Sequence, residues 1–375
     1  TRFSGIFVGV ISPRSEFIAS ATFQRLRLTK RGCSVKQKRM TQPYYNDMID
    51  QIPHDFQNHV LVIGNFDGVH RGHQTVLAQA KKAANLLGCK VLALTFSPHP
   101  RLLFQPDQAP FLLTNAAQKK TLLHHYGADY VYDMPFTKAL CQLSKDDFIC
   151  DILQKGLKAQ HIFVGADFRF GHQRAGSPHD IEKAGIPITV VQKIGDDTQQ
   201  ISYGSRVIRD YIASGDIESA RHILGHDWCI EGEVKHGDHR GRTIGYPTAN
   251  IELESLLHPA YGVYACWVRL HPDTAITNDP KLERLRQWLP AAANIGIRPM
   301  FELSVGRLEV HIMDFAPNEK FEADLYGKIL QIIPVQKIRD EMKFNGLDAL
   351  IHAIDHDCTQ AIQLLQNKQI IANCG

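Results

Sequence analysis

His70 and His73 stand three residues apart at the end of Val62-Ile-Gly-Asn-Phe-Asp-Gly-Val-His-Arg-Gly-His73, where an apolar run meets a glycine-rich turn. Residues at i and i+3 share one side of a helical turn, and a protonated imidazole donates to a phosphate oxygen with less bulk than a lysine. The turn itself, Gly64, Asn65, Phe66, Asp67 and Gly68, frees backbone N–H groups just before an amphipathic stretch, and a helix N-terminus attracts anions. The chemistry that fits is attack on the α-phosphate of a nucleoside triphosphate, with two imidazoliums stabilising the crowded charge and the departing pyrophosphate. No side-chain nucleophile is required.

A second group lies far along the chain. Gly237-Asp-His-Arg-Gly-Arg-Thr-Ile-Gly-Tyr-Pro-Thr-Ala-Asn250 offers Gly237, Gly241 and Gly245 for a phosphate-covering loop and Arg240 and Arg242 as charge. It lacks the Gly-Lys-Ser/Thr ending of a P-loop. If extended, it places Thr248 and Asn250 on one face, two neutral oxygen ligands suited to Mg²⁺ held jointly with ATP phosphates; a polar hairpin loop is the competing reading. In Leu308-Glu-Val-His-Ile-Met-Asp-Phe315, alternation separates Leu308, Val310 and Ile312 from Glu309 and His311. Glu309, as a barrel-lining carboxylate near Mg-ATP, could take the proton from an attacking hydroxyl.

The elements that must position these groups are legible as pattern. Val60–Ile63, Val91–Thr95, Tyr130–Tyr132, His161–Val164 and Ile188–Val191 read as strands. Helical periods fall between them at Gln74–Leu87, Ala116–Tyr126 and Ser144–Gly156, the last opened by a Ser144/Asp147 capping box. Strand and helix in alternation predict a parallel sheet, with ligands beyond the carboxyl ends of its strands. Thr95–Pro100 and Gly165–Gly176 lie at that edge beside the histidine turn. Helices are expected at Ser205–Ser214 and Asp216–Leu224, closed by Gly225. Strands at Ile230–Lys235, Gly262–Leu270, Leu308–Phe315 and Ile329–Val335 then predict an antiparallel barrel or sandwich. A helical patch at Lys281–Leu289 reads as an insertion, and Leu347–Gln366 as a terminal helix.

Composition sets outer bounds. A chain of 375 residues has room for two cores. Its net charge of +3 is too small to argue for nucleic acid or an anionic membrane, and no stretch reaches the ~18 consecutive apolar residues of a membrane span. The eight cysteines form no Cys-x-x-Cys pair and read as free thiols of a reducing cytoplasm. Residues 1–40 are expected to be a disordered basic leader, since nine Lys or Arg precede Met40 against the single acid Glu16. An organelle-targeting or nucleic-acid-binding arm is the alternative.

Taken in order, Gly-Asn-Phe-Asp-Gly-Val-His-Arg-Gly-His, Thr-Phe-Ser-Pro-His-Pro, Val-Gly-Ala-Asp-Phe-Arg-Phe-Gly, Gly-Tyr-Pro-Thr-Ala-Asn, Asn294-Ile-Gly-Ile-Arg-Pro299, Leu-Glu-Val-His-Ile-Met-Asp-Phe, Asp324-Leu-Tyr-Gly327 and Ile338-Arg-Asp-Glu-Met-Lys-Phe344 resemble the bacterial bifunctional riboflavin kinase/FMN adenylyltransferase family, also called FAD synthetase. The resemblance implies a Rossmann-like nucleotidyltransferase domain over 41–222, which makes FAD from FMN and ATP. It implies a six-stranded antiparallel barrel with a C-terminal helix over 223–370, which makes FMN from riboflavin and ATP. Carried over by position, His70 and His73 would contact ATP phosphates, and Asp167 with Phe168 would border nucleotide and flavin. Ser205 and Arg209 would join the nucleotide site, and Pro98 and His99 the flavin site. In the kinase, Thr248 and Asn250 would hold Mg-ATP, Glu309 would be the base for the terminal ribityl hydroxyl, and Arg339 and Phe344 would close over flavin. A cytoplasmic monomer or weak homo-oligomer, without nucleic-acid or membrane partners, is expected.

The chain departs from the family in Tyr203-Gly-Ser-Arg-Val-Ile-Arg209, where Arg206 replaces a phosphate-binding threonine, and at Ile297 and Met300, which replace threonines. An arginine either substitutes as a cation or crowds the site. Two other readings therefore stay open: a riboflavin kinase with an impaired adenylyltransferase domain, or a noncatalytic flavin- or nucleotide-binding module.

Overall fold

Alternation within β1 (Val60–Ile63) sends Val60 and Val62 to one face of a sheet and Leu61 and Ile63 to the other, and both faces are covered. A computed structural model describes residues 52–195, 202–237, 241, 244–275, 279–300, 303–313, 324–366 and 368–370. The expected leader over 1–40, Arg240, Arg242 and Phe315 lie outside the described residues, as do the side chains of Ile297 and Met300.

The first sheet is parallel, with β2 (Val91–Ser97), β3 (Tyr130–Pro135), β4 (His161–Gly165) and β5 (Ile188–Val191) in the order β3-β2-β1-β4-β5. The winding direction reverses between β1 and β4. The topological switch point therefore falls at the carboxyl end of β1, where the histidine turn lies. Helix α1 (Arg71–Leu87) packs Val76, Leu77, Ala80 and Ala84 onto the Val60/Val62 face, joined by Leu122 and Leu123 of α2 (Ala116–His125). The opposite face is covered by Phe148, Ile149, Ile152 and Leu153. The helix expected at Ser144–Gly156 is not one regular helix: Ser144 caps a short turn, Lys145–Asp147, and a wider-pitched segment, Phe148–Gly156, follows.

Helices α3 (Ser205–Ser214) and α4 (Ile217–Leu224) lead into the second half, α4 ending at the left-handed Gly225. A domain division between 222 and 223 thus cuts α4, whose last turn shares one hydrophobic core with the barrel: Ile208, Ile212, Ile217, Ala220, Ile223 and Leu224 pack with barrel residues and Leu113. The barrel strands β6 (Ile230–Glu233), β7 (Ala249–Glu252), β8 (Gly262–Leu270), β9 (Leu289–Met300), β10 (Leu303–Ile312) and β11 (Ile329–Arg339) follow the order β6-β11-β8-β9-β10-β7. A bridge from Lys235 to Asn250 brings the two edges together. Tyr264, Cys266 and Val268 point inward, whereas Ala265 and Trp267 face α5 (Leu347–Gln366), whose Ala361 and Leu365 rest on small side chains.

Boundaries differ from expectation at several elements, most widely at two. The helical patch stops at Arg284 and Leu289 opens β9, a strand the pattern does not announce; β10 runs Leu303–Ile312, starting five residues before Leu308. Described residues of both halves belong to one compact unit, Thr41–Gly375. Leu112 pairs with the barrel through Leu112 N–H to Ser255 O (3.1 Å) and Leu257 N–H to Leu112 O (2.8 Å).

Candidate active sites

The turn after β1 is built from backbone that L-residues avoid. Phe66 (φ 51°), Gly68 (φ 80°) and Val69 (φ 38°) are all left-handed, and a β-branched residue there is a genuine outlier whose strain the surroundings must hold. They do so by taking its carbonyls one by one. Thr95 Oγ1 donates to Asn65 O (3.3 Å), Ser205 Oγ to Asp67 O (2.9 Å), the His226 ring bonds Gly68 O (3.0 Å) and Gln74 Nε2 donates to Val69 O (2.9 Å). Four different elements thus turn the carbonyls away. The amides of Phe66, Asp67 and His70 have no hydrogen bond among the described residues, which leaves N–H groups for an anion.

His70 caps α1, and its Nδ1 accepts the Gly72 N–H at 3.1 Å. Its neutral ring therefore carries the proton on Nε2, a donor aimed away from the helix. The His73 ring stacks on it at 3.7 Å and meets Phe66 edge-on at 5.1 Å; His73 Nδ1 is buried without a partner. The expectation of two imidazoliums is corrected here. Burial, then the neighbouring His226 and Arg209, lowers the His70 pKa to about 4, and burial together with His70 holds His73 well below its ordinary value. Both are neutral at pH 7 while no anion is present.

Asp67 is buried with its carboxylate fully engaged. Oδ1 accepts from Leu113 N (2.9 Å) and Thr114 N (3.2 Å), and Oδ2 pairs with Arg209 Nη2 at 2.6 Å. Arg209 also donates to Phe111 O (2.8 Å) and lies over the Phe111 ring. This pair anchors the turn to α3. Arg206, one position past Ser205, is exposed and has no hydrogen bond or ion pair among the described residues. Among the described residues no polar contact ties its guanidinium to the pinned loop.

Around the same edge, His99 caps Pro100–Phe104, accepting Arg101 N–H at 3.2 Å, and meets Phe111 edge-on at 5.0 Å. Burial dominates its pKa and lowers it to about 4, against the opposing pull of Asp67. Pro98 is exposed. Phe168 stacks on Phe170 at 5.5 Å, and the exposed Asp167 pairs with Lys193 at 2.6 Å. Lys119, on α2, reaches Phe96 O (3.4 Å) near the end of β2 and Asp133 (3.5 Å) on β3. Nothing in the local pattern marks it, since its placement depends on how α2 packs.

In the barrel, register assembles the second group. Glu309 lies directly between Asn250 on β7 and Asn294 on β9. Leu308, Val310 and Ile312 fill the interior, so Glu309 lines the outer face and not the barrel lumen. Arg307, two residues earlier on the same face, sits 3.4 Å from Glu309 and donates to Asn250 Oδ1. Neither Arg307 nor Asn294 stands out as a single residue; the strand register reveals both. Thr248 precedes β7, and its carbonyl faces the Asn250 amide at 3.4 Å. At Gly241 a Cβ would collide with the Tyr246 carbonyl, and Gly245 is left-handed (φ 87°). Arg339 forks onto Asp357 of α5 (2.9 and 2.7 Å) and lies 5.6 Å from the Phe344 ring. No group of three or more His, Cys, Asp or Glu among the described residues could hold a metal unaided.

Comparison with known proteins divides the chain the same way. A family model described as FAD synthetase matches residues 52–205, and one described as riboflavin kinase matches 224–365. A bifunctional riboflavin kinase/FMN adenylyltransferase of Escherichia coli (strain K12) is 38% identical over 302 residues, 80% of this chain and 90% of that protein. The protein of the same description from Bacillus subtilis (strain 168) is 35% identical over 318 residues, 82% of this chain and 93% of the other. A crystal structure titled macrolide-efflux protein from Streptococcus pneumoniae superposes with a TM-score of 0.70 at 29% identity, covering 86% of this chain and 97% of that one. No helix of the described residues is long and apolar enough to cross a membrane.

Proposed function

Because the chain belongs to the bifunctional riboflavin kinase/FMN adenylyltransferase family, we propose that its two constellations divide the chemistry as follows. The enzyme phosphorylates riboflavin with ATP and adenylylates the resulting FMN with a second ATP. The kinase step belongs to Glu309, which takes the proton of the terminal ribityl hydroxyl as that oxygen attacks the γ-phosphate and ADP leaves. Phe344 and Arg339 close over the flavin, Arg339 already held in place by Asp357.

Thr248 and Asn250 fit Mg²⁺ carried in on ATP, two neutral oxygens being too few for a dedicated cage. When bound, the ion supplies charge neutralisation along the phosphates. Arg307 must release Asn250 Oδ1 for that ligand to serve, and it is then free to meet a phosphate oxygen.

In the adenylyltransferase, the FMN phosphate attacks the α-phosphate of ATP and pyrophosphate leaves. Phe66, Asp67 and His70 present backbone N–H groups, and His70 donates from Nε2 with His73 stacked behind it. Ser205 and the Asp67–Arg209 pair hold this turn in shape. Pro98, His99, Asp167 and Phe168 border the flavin end of the edge. The division between halves is best placed at the Gly225 cap, and the free cysteines among the described residues suit the cytoplasm.

The reading is supported by the strained turn at the sheet's switch point, where four side chains engage the carbonyls while the Phe66, Asp67 and His70 amides stay unbonded among the described residues. Incubation with riboflavin, ATP and Mg²⁺ followed by separation of the flavins tests it. FMN and FAD together are expected; FMN alone would leave only the kinase, and neither product would leave a binding module.

A further inference from the structure

His226 stands between the two halves, after the Gly225 cap of α4 and four residues before β6. Its ring is 3% exposed. Both ring nitrogens face backbone carbonyls: Nε2 lies 3.0 Å from Gly68 O and Nδ1 2.9 Å from Asp227 O. Gly68 is the centre of the left-handed run in the adenylyl-transfer turn, at φ 80°, where a Cβ would come within 2.8 Å of Leu113 Cδ1. The Gly68 N–H is held separately by Thr114 Oγ1 at 3.2 Å. The peptide that precedes Val69 and His70 is therefore gripped from the side of the second domain, 158 residues away in sequence.

We propose that His226 is a positioning residue of adenylyl transfer: by donating its Nε2 proton to the Gly68 carbonyl it fixes the left-handed peptide that sets the approach of the turn and of His70 to the nucleotide phosphates. Both acceptors are carbonyls, and the proposal places the proton on the nitrogen that faces the turn. A neutral imidazole has one N–H to give. A donor on Nδ1 alone would leave the Nε2 lone pair against the Gly68 oxygen and free that carbonyl to rotate toward the phosphates. The surroundings keep the ring in place. The Asp227 carboxylate is drawn to Arg221 (2.7 Å), and Tyr126 of the α2 end lies 6.1 Å from the ring. His125 and His70 are the other titratable neighbours, and burial favours the neutral ring.

The inference rests on the assignment of the 64–73 turn to adenylyl transfer, and the two fail differently. Wild-type protein that turns riboflavin into FMN but makes no FAD sinks that assignment. The positioning role is tested by comparing His226→Gln, His226→Asn and His226→Ala with FMN supplied for the adenylyl step and riboflavin for the kinase step. A glutamine amide reaches near the Nε2 position and an asparagine amide only near Nδ1. Displacing a reacting group by about an ångström costs up to ~100-fold in rate. The expected result is kcat/KM for ATP in FAD synthesis falling roughly 10- to 100-fold in Ala and Asn, largely in kcat, with Gln restoring most of it and FMN synthesis within about twofold in all three. Equal loss in Gln and Asn, unchanged FAD synthesis in Ala, or parallel loss of both activities in all three variants would overturn it.

Discussion

Acidification from pH 7 to pH 5 should destabilise the ligand-free protein, and a defined part of the loss should belong to His70. Its pKa is about 4 in the fold against an ordinary 6.5, because the ring is buried and faces His226 and Arg209. A histidine with a depressed folded pKa favours the fold only while neutral. Its contribution is complete above the unfolded pKa and drains away as pH falls through 6.5 toward 4. Linkage between those values gives about 2 kcal/mol lost by pH 5, most of it after pH 6.5, out of the roughly 5–15 kcal/mol that hold a domain. His70→Asn isolates this share: the asparagine oxygen still caps α1 by accepting Gly72 N–H but does not titrate. Urea unfolding at pH 7 and pH 5 should show the wild type losing about 2 kcal/mol more than the variant. Imidazole NMR should show His70 neutral at pH 6, protonated on Nε2. ATP works in the opposite sense: a polyphosphate beside the ring raises its pKa, so ATP affinity should rise as pH falls from 7 to 5. Identical pH slopes in the two proteins, or an imidazole titrating above pH 6, would refute burial as the cause.

Separate sites should be separable by substitution. His73→Ala should stop FAD formation while FMN still accumulates, and Glu309→Gln should lower FMN formation by about 100-fold or more while FAD forms normally from supplied FMN; flavin chromatography reads both. Asp67→Asn breaks the buried pair with Arg209 and should cost about 3–5 kcal/mol, seen as an earlier unfolding midpoint and loss of FAD synthesis. Gly68→Ala should lose about 1–3 kcal/mol and adenylyl transfer with it, since φ is 80° and Leu113 leaves no room.

Part of the fold and of the candidate site is legible in the sequence and part is not, for physical reasons. β1, β5, β8, α3 and α5 lie where period and capping place them, because apolar side chains there are buried by neighbours their own pattern implies. β9 is different. Its Pro290, its alanines 291–293 and Gly296 have poor strand propensity, and the segment is extended because β8 and β10 bond it along both edges. The outward face of Glu309 is implicit in the alternation of Leu308, Val310 and Ile312, once the apolar side is required to fill the barrel. The charge state of the histidines is another matter. Their spacing suggests a phosphate site, but neutrality comes from burial and, for His70, from His226 and Arg209, which the fold brings from 156 and 139 residues further along.

That difference bears on the chemistry. Two permanently charged imidazoliums would bind any anion, including the pyrophosphate product, with equal readiness. Neutral rings carry no standing charge: in the proposed adenylyl transfer His70 would meet the polyphosphate as an Nε2–H donor, and the ligand's negative charge would favour protonation beside it. The strain in Phe66 and Val69 serves the same end. Thr95, Ser205, Gln74 and His226 hold the turn in one shape, and under the proposed adenylyl transfer that shape would need little reorganisation for ATP. Two of those four holders, Ser205 and His226, come from beyond the parallel sheet, so a truncation ending at β5 would keep both histidines and lose the geometry that makes them useful. Such a fragment should bind ATP weakly and form no FAD, even when FMN is supplied in excess.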